Sequence, residues 1–364
     1  MKKKVVVGMS GGVDSSVAAC LLKEQGYEVI GVTMQVWQEE EQDVVEAEGG
    51  CCGLSAVEDA RRVANYLQIP YYVMNFKKEF KERVMDYFVE EYLQGRTPNP
   101  CIACNRYVKW ESLLQRSLAI GADYIATGHY ARIKQLSNGR YAVCHSATAR
   151  KDLTYALYGL TQYQLAHTLM PVGDYEKEEI REIALRKGLP VAHKPDSQEI
   201  CFVPDNDYAA FIDRQAGERV PGPGNFITSS GEILAEHKGI THYTIGQRKG
   251  LHLAMGHPVF VTQILPETNE VVIGESGDVF SMELFCNRIN YMGMEDLQSP
   301  RKVTAKIRYG HKGAACTIEK TGEDEIKCIF EEPVRAVTPG QAAVFYEEGC
   351  VLGGGTIKRR ESVS

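Results

Sequence analysis

The sequence predicts an α/β fold: a doubly wound parallel sheet over residues 1–205, then small β-rich domains that end in a barrel. Three observations carry the prediction. Strand and helix signatures alternate from Val5 to Lys187, as in parallel strands joined by crossover helices. The first strand, Val5-Val6-Val7, runs into a Ser10-Gly11-Gly12 turn and an amphipathic stretch from Val13 to Lys23. Beyond residue 205 short strands separated by Gly, Asn and Ser turns take over.

The elements follow in order. Glu28–Gln35 is a second strand. Gln38–Glu48 holds six acids and no base before Gly49-Gly50, a solvated loop, and Cys51-Cys52 reads as a packed helix start. Ser55–Leu67 has helical spacing, with Ser55 and Glu58 as a capping box. A strand at Tyr71–Asn75 and a helix at Lys78–Leu93 come next. Pro98 and Pro100 argue that Gly95–Asn105 is loop, ahead of a helix at Tyr107–Leu118. Asp123–Ala126 is a strand, and Ser137-Asn138-Gly139-Arg140 marks a hairpin turn. Helices are expected at Tyr175–Lys187 and Asp207–Gln215, with a turn at Pro221–Gly224. The later strands are Asn225–Thr228, Val259–Leu265, Val271–Gly274, Val303–Arg308, Ile326–Phe330 and Ala343–Tyr346. Lys358-Arg359-Arg360 reads as a frayed tail.

A chain of 364 residues holds two or three domains. A formal charge of −7 argues against a globally basic nucleic-acid binder but permits local patches. One such patch is Arg301–Lys312, with five Lys or Arg and no acid. The apolar run after Lys2–Lys4 is cut short by Gly8 and Asp14, so no signal peptide or membrane span is expected. Eleven cysteines then point to a reducing cytoplasm, with thiols kept for reactivity or metal. Cys20, Cys144, Cys286, Cys316, Cys328 and Cys350 fall in regular elements and read as packing.

Two constellations carry chemistry. At Gly8-Met9-Ser10-Gly11-Gly12-Val13-Asp14-Ser15-Ser16, glycines bend the backbone so that N–H groups and a helix N-terminus face one point, an anion site suited to phosphate. Ser10, Ser15 and Ser16 add hydroxyls, and Asp14 is accounted for by a Mg²⁺ ion. The turn lacks the Gly-Lys-Ser/Thr ending of a Walker A loop. The second constellation is Cys101-x-x-Cys104 with a third loop cysteine, Cys201. His129 follows a strand end beside Gly128, a position that favours a functional role over an ordinary buried histidine.

The turn resembles the PP-loop of the ATP pyrophosphatase superfamily, an adenine nucleotide alpha hydrolase-like fold. With Gly95–Asn105, Gly128-His129-Tyr130, Lys151–Tyr155, Pro195–Cys201 and His242–Leu251, nearly the whole chain resembles the tRNA-specific 2-thiouridylase family. The resemblance implies a PP-loop catalytic domain (1–205), a small central domain (206–280) and a tRNA-contacting C-terminal β-barrel (281–364). It implies ATP contacts at Gly8, Met9, Ser10, Gly11, Gly12, Val13, Asp14, Ser15, Met34 and Gly128, and a target-base segment at Asn99, Pro100 and Cys101. It implies that Cys104 is the nucleophile and Cys201 the persulfide carrier. His129, Lys151, Asp152, Leu153, Arg308, Tyr309 and Gln341 would touch tRNA.

The implied reaction is 2-thiolation of the wobble uridine. A uracil C2 oxygen is a poor leaving group; adenylation turns it into AMP, and sulfur then attacks C2. The base must first leave the anticodon loop. Many family members have Asp at the position of Cys101, which leaves the general base unassigned. Cys101, Cys104 and Cys201 could instead hold a [4Fe–4S] cluster, or Cys104 and Cys201 could form a persulfide relay that passes through a disulfide. Zinc is the weaker alternative, with His193 as fourth ligand. The implied partners are glutamate, glutamine and lysine tRNAs and a cysteine desulfurase or sulfur-carrier protein. The rival readings are another PP-loop synthetase, with pyrophosphate release driven by an amino acid or purine, and a redox-sensing RNA-binding protein without turnover.

Overall fold

The computed structural model describes residues 2–37, 54–195, 200–203, 205 and 207–359. The acidic stretch Gln38–Glu48, Cys51-Cys52, Asp196–Glu199 and Arg360 lie outside the described residues. The chain forms two compact units. One comprises Met1–Met85, Pro100–Asn206 and Gly349–Val351; the other comprises Asp86–Asn99, Asp207–Glu348 and Leu352–Ser364.

The first unit is built on a parallel sheet. β1 (Lys4–Gly8), α1 (Val13–Glu24), β2 (Glu28–Gln35), α2 (Leu54–Tyr66) and β3 (Tyr71–Asn75) alternate as the sequence predicts. Ser55 lies inside the first turn of α2 rather than at its cap, because the helix starts at Leu54. α3 (Lys77–Phe80) continues through a π-helical turn, Lys81–Met85, into α4 (Asp86–Leu93) of the second unit. α5 (Pro100–Ala103), a π-helical stretch Cys104–Leu113 and α6 (Leu114–Ala119) then run on to β4 (Tyr124–Ala126). The expected loop therefore ends at Asn99. Proline opens α5 because its missing N–H costs nothing in a first turn.

β5 (Arg132–Gln135) and β6 (Tyr141–Cys144) make the expected antiparallel hairpin. α7 (Thr154–Leu157), α8 (Gln162–Ala166), β7 (Thr168–Leu169) and α9 (Lys177–Arg186) complete the unit. The strand order β3-β2-β1-β4-β7 puts β1 in the middle, parallel to β2 on one side and β4 on the other. The chain winds one way through β2 and β3 and the other way through β4 and β7, so the order reverses beside β1. Ligands of such sheets bind at the carboxyl ends of the strands at that reversal. α1 and α9 share one apolar core with β1 through Val5, Val7, Val13, Val17, Ile180 and Ile183.

Cys144 and Cys350, read from the sequence as packing residues, form a disulfide within this unit. They are directly paired across antiparallel strands, which brings two side chains face to face.

The second unit holds α4, α10 (Tyr208–Ala216), a small sheet and a barrel. Asp207 caps α10, its carboxylate accepting from Ala210 N–H at 2.9 Å. β8 (Gly224–Ile227), β9 (Ile233–His237), β10 (Phe260–Leu265) and β11 (Glu270–Gly274) form the small sheet, in the order β10-β11-β8-β9. β12 (Phe280–Tyr291), β13 (Arg301–Lys306), β14 (Ala314–Gly322), β15 (Glu325–Arg335), β16 (Ala342–Glu347) and β17 (Cys350–Ile357) form the barrel. Its order is β12-β15-β14-β13-β16-β17, and β12 pairs again with β17 to close it.

Strands β9, β12, β14 and β17 go beyond the sequence reading. β17 carries Gly353-Gly354-Gly355. A Cβ at Gly353 would come within 2.6 Å of Asn290 O, and one at Gly355 within 2.6 Å of Asn287 O. The glycines are therefore what lets β12 and β17 close the barrel. Cys286, Cys316 and Cys328 pack inside it. The tail is docked rather than frayed: Lys358 N–H donates to Phe285 O at 2.8 Å, and Arg359 Nη2 donates to Gln94 O at 2.6 Å. No helix among the described residues is long and apolar enough to cross a membrane.

Candidate active site at the end of the first strand

The Ser-Gly-Gly turn leaves the carboxyl end of β1 at the reversal point. Gly11 has φ +69°, and a Cβ there would meet Ala56 O at 2.3 Å, so only glycine fits. Gly12 is the N-cap of α1 and offers no side chain to its first N–H groups. Those donors are thereby left to an incoming anion.

The side chains around the turn divide into two sets. Met9 and Val13 are buried, which leaves only their backbone to face the turn's open side. Met9 is braced by its N–H to Val32 O at 2.8 Å and by Thr33 Oγ1 donating to its carbonyl at 2.7 Å. Ser16, expected to add a hydroxyl to the anion site, is fully buried and donates back to Gly12 O at 2.8 Å. Ser10 stays exposed, its N–H donating to Ser15 Oγ at 3.2 Å. Met34 is half-buried at the carboxyl end of β2, the strand next to β1.

Gly128 follows β4 and lies against the turn. A Cβ on it would sit 2.6 Å from Ser15 N and 2.7 Å from the Asp14 carbonyl carbon. Asp14 itself is held from two directions. Tyr130 Oη donates to its Oδ1 at 2.7 Å, and Lys177 Nζ donates to the same oxygen at 2.6 Å. Neither Tyr130 nor Lys177 received a role from the sequence. A signal for Lys177 was present: it opens α9, where the helix dipole disfavours a cation.

His129 sits between the turn and the thiol-bearing helix. Lys109 Nζ lies 3.4 Å from its Nε2 and donates to Asn105 Oδ1 at 2.9 Å. Asn105 Nδ2 donates to Ala156 O at 3.0 Å. With Nε2 facing an ammonium, Nδ1 carries the proton and donates to Thr127 Oγ1 at 2.7 Å. Burial, and then the Lys109 charge, hold His129 well below the ordinary imidazole range, so the ring is neutral. Asn105 is the neighbour of Cys104, so one chain of contacts runs from the thiol's helix to the nucleotide turn.

Cys104 opens the π-helical stretch and is half-buried, while Cys101 is exposed on α5. Cys201 is half-buried in a turn anchored by Phe202, which packs edge-on against Phe80 at 5.7 Å. α3, which carries Phe80, also packs against the Cys104 helix. Among the described residues no three His, Cys, Asp or Glu side chains could hold a metal ion. Cys101, Cys104 and Cys201 thus do not form a cluster ligand set, and His193 is exposed outside any such group. Cys101 is exposed on α5, whereas Cys104 lies past the end of that helix, at the head of the π-helical stretch, and is half-buried.

The residues expected at tRNA fall into three groups. Asp152 is buried; it accepts from Thr154 N–H at 3.1 Å, Ser146 N–H at 3.2 Å and His145 Nδ1 at 2.9 Å, which makes it a brace for its loop. Its carboxyl is held below the usual range by the His145 and Thr154 bonds, against the effect of burial. Lys151, Leu153 and Arg308 are half-buried, and Tyr309 is exposed. Gln341 binds the chain just ahead of the target-base segment: its Nε2 donates to Thr97 O at 3.0 Å, beside a Thr97 N–H to Pro339 O bond of 2.8 Å. Arg96, beside Thr97, is held by a bidentate pair with buried Glu91 at 2.7 and 2.6 Å, a contact that sequence spacing did not show.

Comparison with known proteins adds to this geometry. A tRNA methyl transferase HUP domain model matches residues 3–205, a tRNA methyl transferase PRC-barrel domain 209–275, and an aminomethyltransferase beta-barrel domain 281–357. The tRNA-specific 2-thiouridylase MnmA of Lachnoclostridium phytofermentans is 68% identical over 355 residues, 98% of this chain and 99% of that protein. Those of Clostridioides difficile and Clostridium perfringens are 56% and 58% identical over 360 and 357 residues, covering 99% and 98% of this chain and 99% of each relative.

Proposed function

Since the chain belongs to the tRNA-specific 2-thiouridylase family, we propose that it adenylates the C2 oxygen of the wobble uridine and then delivers sulfur from a cysteine relay. The enzyme is an ATP-using tRNA sulfurtransferase. The observation that carries the mechanistic reading is the bare turn at the sheet's reversal point, whose uncapped N–H groups suit the ATP phosphates.

In this reading the uracil O2 attacks the α-phosphorus and pyrophosphate leaves with the electrons of the broken P–O bond. The terminal sulfur of a Cys201 persulfide attacks C2, and AMP leaves. Cys104 thiolate then attacks the Cys201 sulfur, the S–S bond breaks, and the sulfur stays on C2. A Cys104–Cys201 disulfide remains for an external thiol to reduce. Mg²⁺ fits this turn only as a partner held mainly by the ATP phosphates, because Asp14 is a lone carboxylate already paired with Lys177. The cysteines do not fit an iron–sulfur cluster, and no step uses one. Glutamate, glutamine and lysine tRNAs are the proposed substrates, and a cysteine desulfurase or carrier protein in the cytoplasm is the proposed donor.

The test is an anaerobic assay with ATP, Mg²⁺, unmodified tRNA and either sulfide or a persulfide donor, before and after iron chelation. We expect 2-thiouridine with the persulfide donor, unaffected by chelation. Activity that needs iron would overturn the relay.

A further inference from the structure

We propose that Lys177 is the phosphate-binding lysine of this site, reaching the ATP polyphosphate from α9, with Asp14 as the residue that positions it. The inference rests on reading the Ser-Gly-Gly turn as the ATP site.

The turn itself, Gly8–Ser16, contains no lysine or arginine. A polyphosphate held only by N–H groups beside a carboxylate would meet uncompensated negative charge from Asp14. Lys177 removes that conflict. Its side chain is 8% exposed and its ammonium lies 2.6 Å from Asp14 Oδ1. Burying an ammonium is costly without a partner, so the position is built rather than incidental.

Three further features agree. Lys177 is the first residue of α9, where the dipole favours acids, and its neighbours Glu176, Glu178 and Glu179 follow that preference. A cation there opposes the local rule and must be held by something outside the helix. Tyr130 supplies part of the hold: its hydroxyl shares Asp14 Oδ1 at 2.7 Å, and its ring lies 5.8 Å from Lys177 Nζ. Asp14 is the second residue of α1, so the ammonium stands at the same helix end as the uncapped N–H groups of the turn. Donors and charge therefore converge from two helices on one point, as a Walker A lysine and its loop do from one.

The chemistry predicts which ligands respond. ATP and pyrophosphate carry the phosphates that a lysine there would neutralise, whereas AMP carries only one. Isothermal titration of the full-length protein with ATP, AMP and pyrophosphate, in wild type, K177M and K177R, makes the distinction. We expect K177M to weaken ATP and pyrophosphate by about tenfold or more, the loss of one charge-assisted bond. AMP should change by less than about twofold, and K177R should recover most of the affinity. Unchanged ATP and pyrophosphate affinity in K177M overturns the proposal. So does an equal loss for ATP and AMP, which would make Lys177 a structural support only. Should K177M fail to fold, a D14N/K177M double variant removes both charges of the buried pair together. Pyrophosphate affinity lost in that protein, with AMP retained, supports the proposal, and affinity retained for both overturns it. A wild-type protein that binds neither ATP nor pyrophosphate would instead overturn the ATP-site reading itself.

Discussion

Lys109 Nζ stands 3.4 Å from His129 Nε2, so an ammonium faces the unprotonated nitrogen of a half-buried imidazole. The pair joins the helix that begins at Cys104 to the strand end that touches the nucleotide turn. In K109M the repulsion between two cations is gone, and the His129 pKa should rise toward 6.5, which an NMR titration of its ring protons reads directly. Between pH 6.5 and the depressed folded value, the unfolded chain binds the proton more readily than the folded one. Lowering the pH through that window therefore destabilises the wild type, and K109M should lose less stability over the same range.

The separation of the two chemical steps predicts the phenotype of the thiol. Cys104→Ala should reduce thiolation by more than about a thousandfold while pyrophosphate release stays within about threefold of wild type, because adenylation precedes sulfur transfer. Thiolation retained in that variant would remove Cys104 from the nucleophile role. Asp14→Asn should act on the earlier step, with pyrophosphate release suppressed and tRNA binding kept.

Much of this architecture was legible because it is local. The β1 turn, the alternation through β3 and the hairpin at Asn138-Gly139 each follow from a few neighbouring residues. What escaped was set by distant partners. Lys177 meets Asp14 across 163 positions, and Cys144 meets Cys350 across 206. The barrel-closing strand β17 is disguised by three glycines whose reason is the backbone of β12. Pro98 and Pro100 argued for loop throughout, yet only a helix interior excludes proline, and Pro100 is a first residue. The burial of Asp152 is likewise invisible until His145, Ser146 and Thr154 are folded around it.

The Cys144–Cys350 bridge closes a loop of 206 residues. Loop-closure entropy of that size gives a disulfide a stabilising effect of about 5 kcal/mol. C144S should unfold at correspondingly lower denaturant than the oxidised wild type, and the two should coincide once the wild type is reduced with dithiothreitol. A persistent difference after reduction would locate the effect in packing at residue 144.

Gln341, expected to touch tRNA, places its amide on the two residues just ahead of the Asn99–Cys101 segment expected to face the target base. Nε2 donates to Thr97 O at 3.0 Å and to Pro98 O at 3.4 Å, and Gly340, with φ +91°, lets Thr97 N approach so closely that a Cβ there would stand 2.9 Å from it. A holding role and a contact role separate in kinetics. Misplacing a reacting group by an ångström costs up to about a hundredfold in turnover, so Gln341→Ala should lower the thiolation rate by about ten- to a hundredfold at saturating tRNA. The Kd for tRNA should stay within about twofold, and its salt dependence should not change, since no phosphate contact is lost. Arg96→Ala tests the same segment from its other end. It leaves buried Glu91 without its bidentate partner and should destabilise the protein by about 3 kcal/mol, with a larger loss of turnover than of tRNA affinity. If Gln341→Ala weakened tRNA binding tenfold at unchanged saturated rate, Gln341 would be an RNA contact and the positioning of Thr97 incidental.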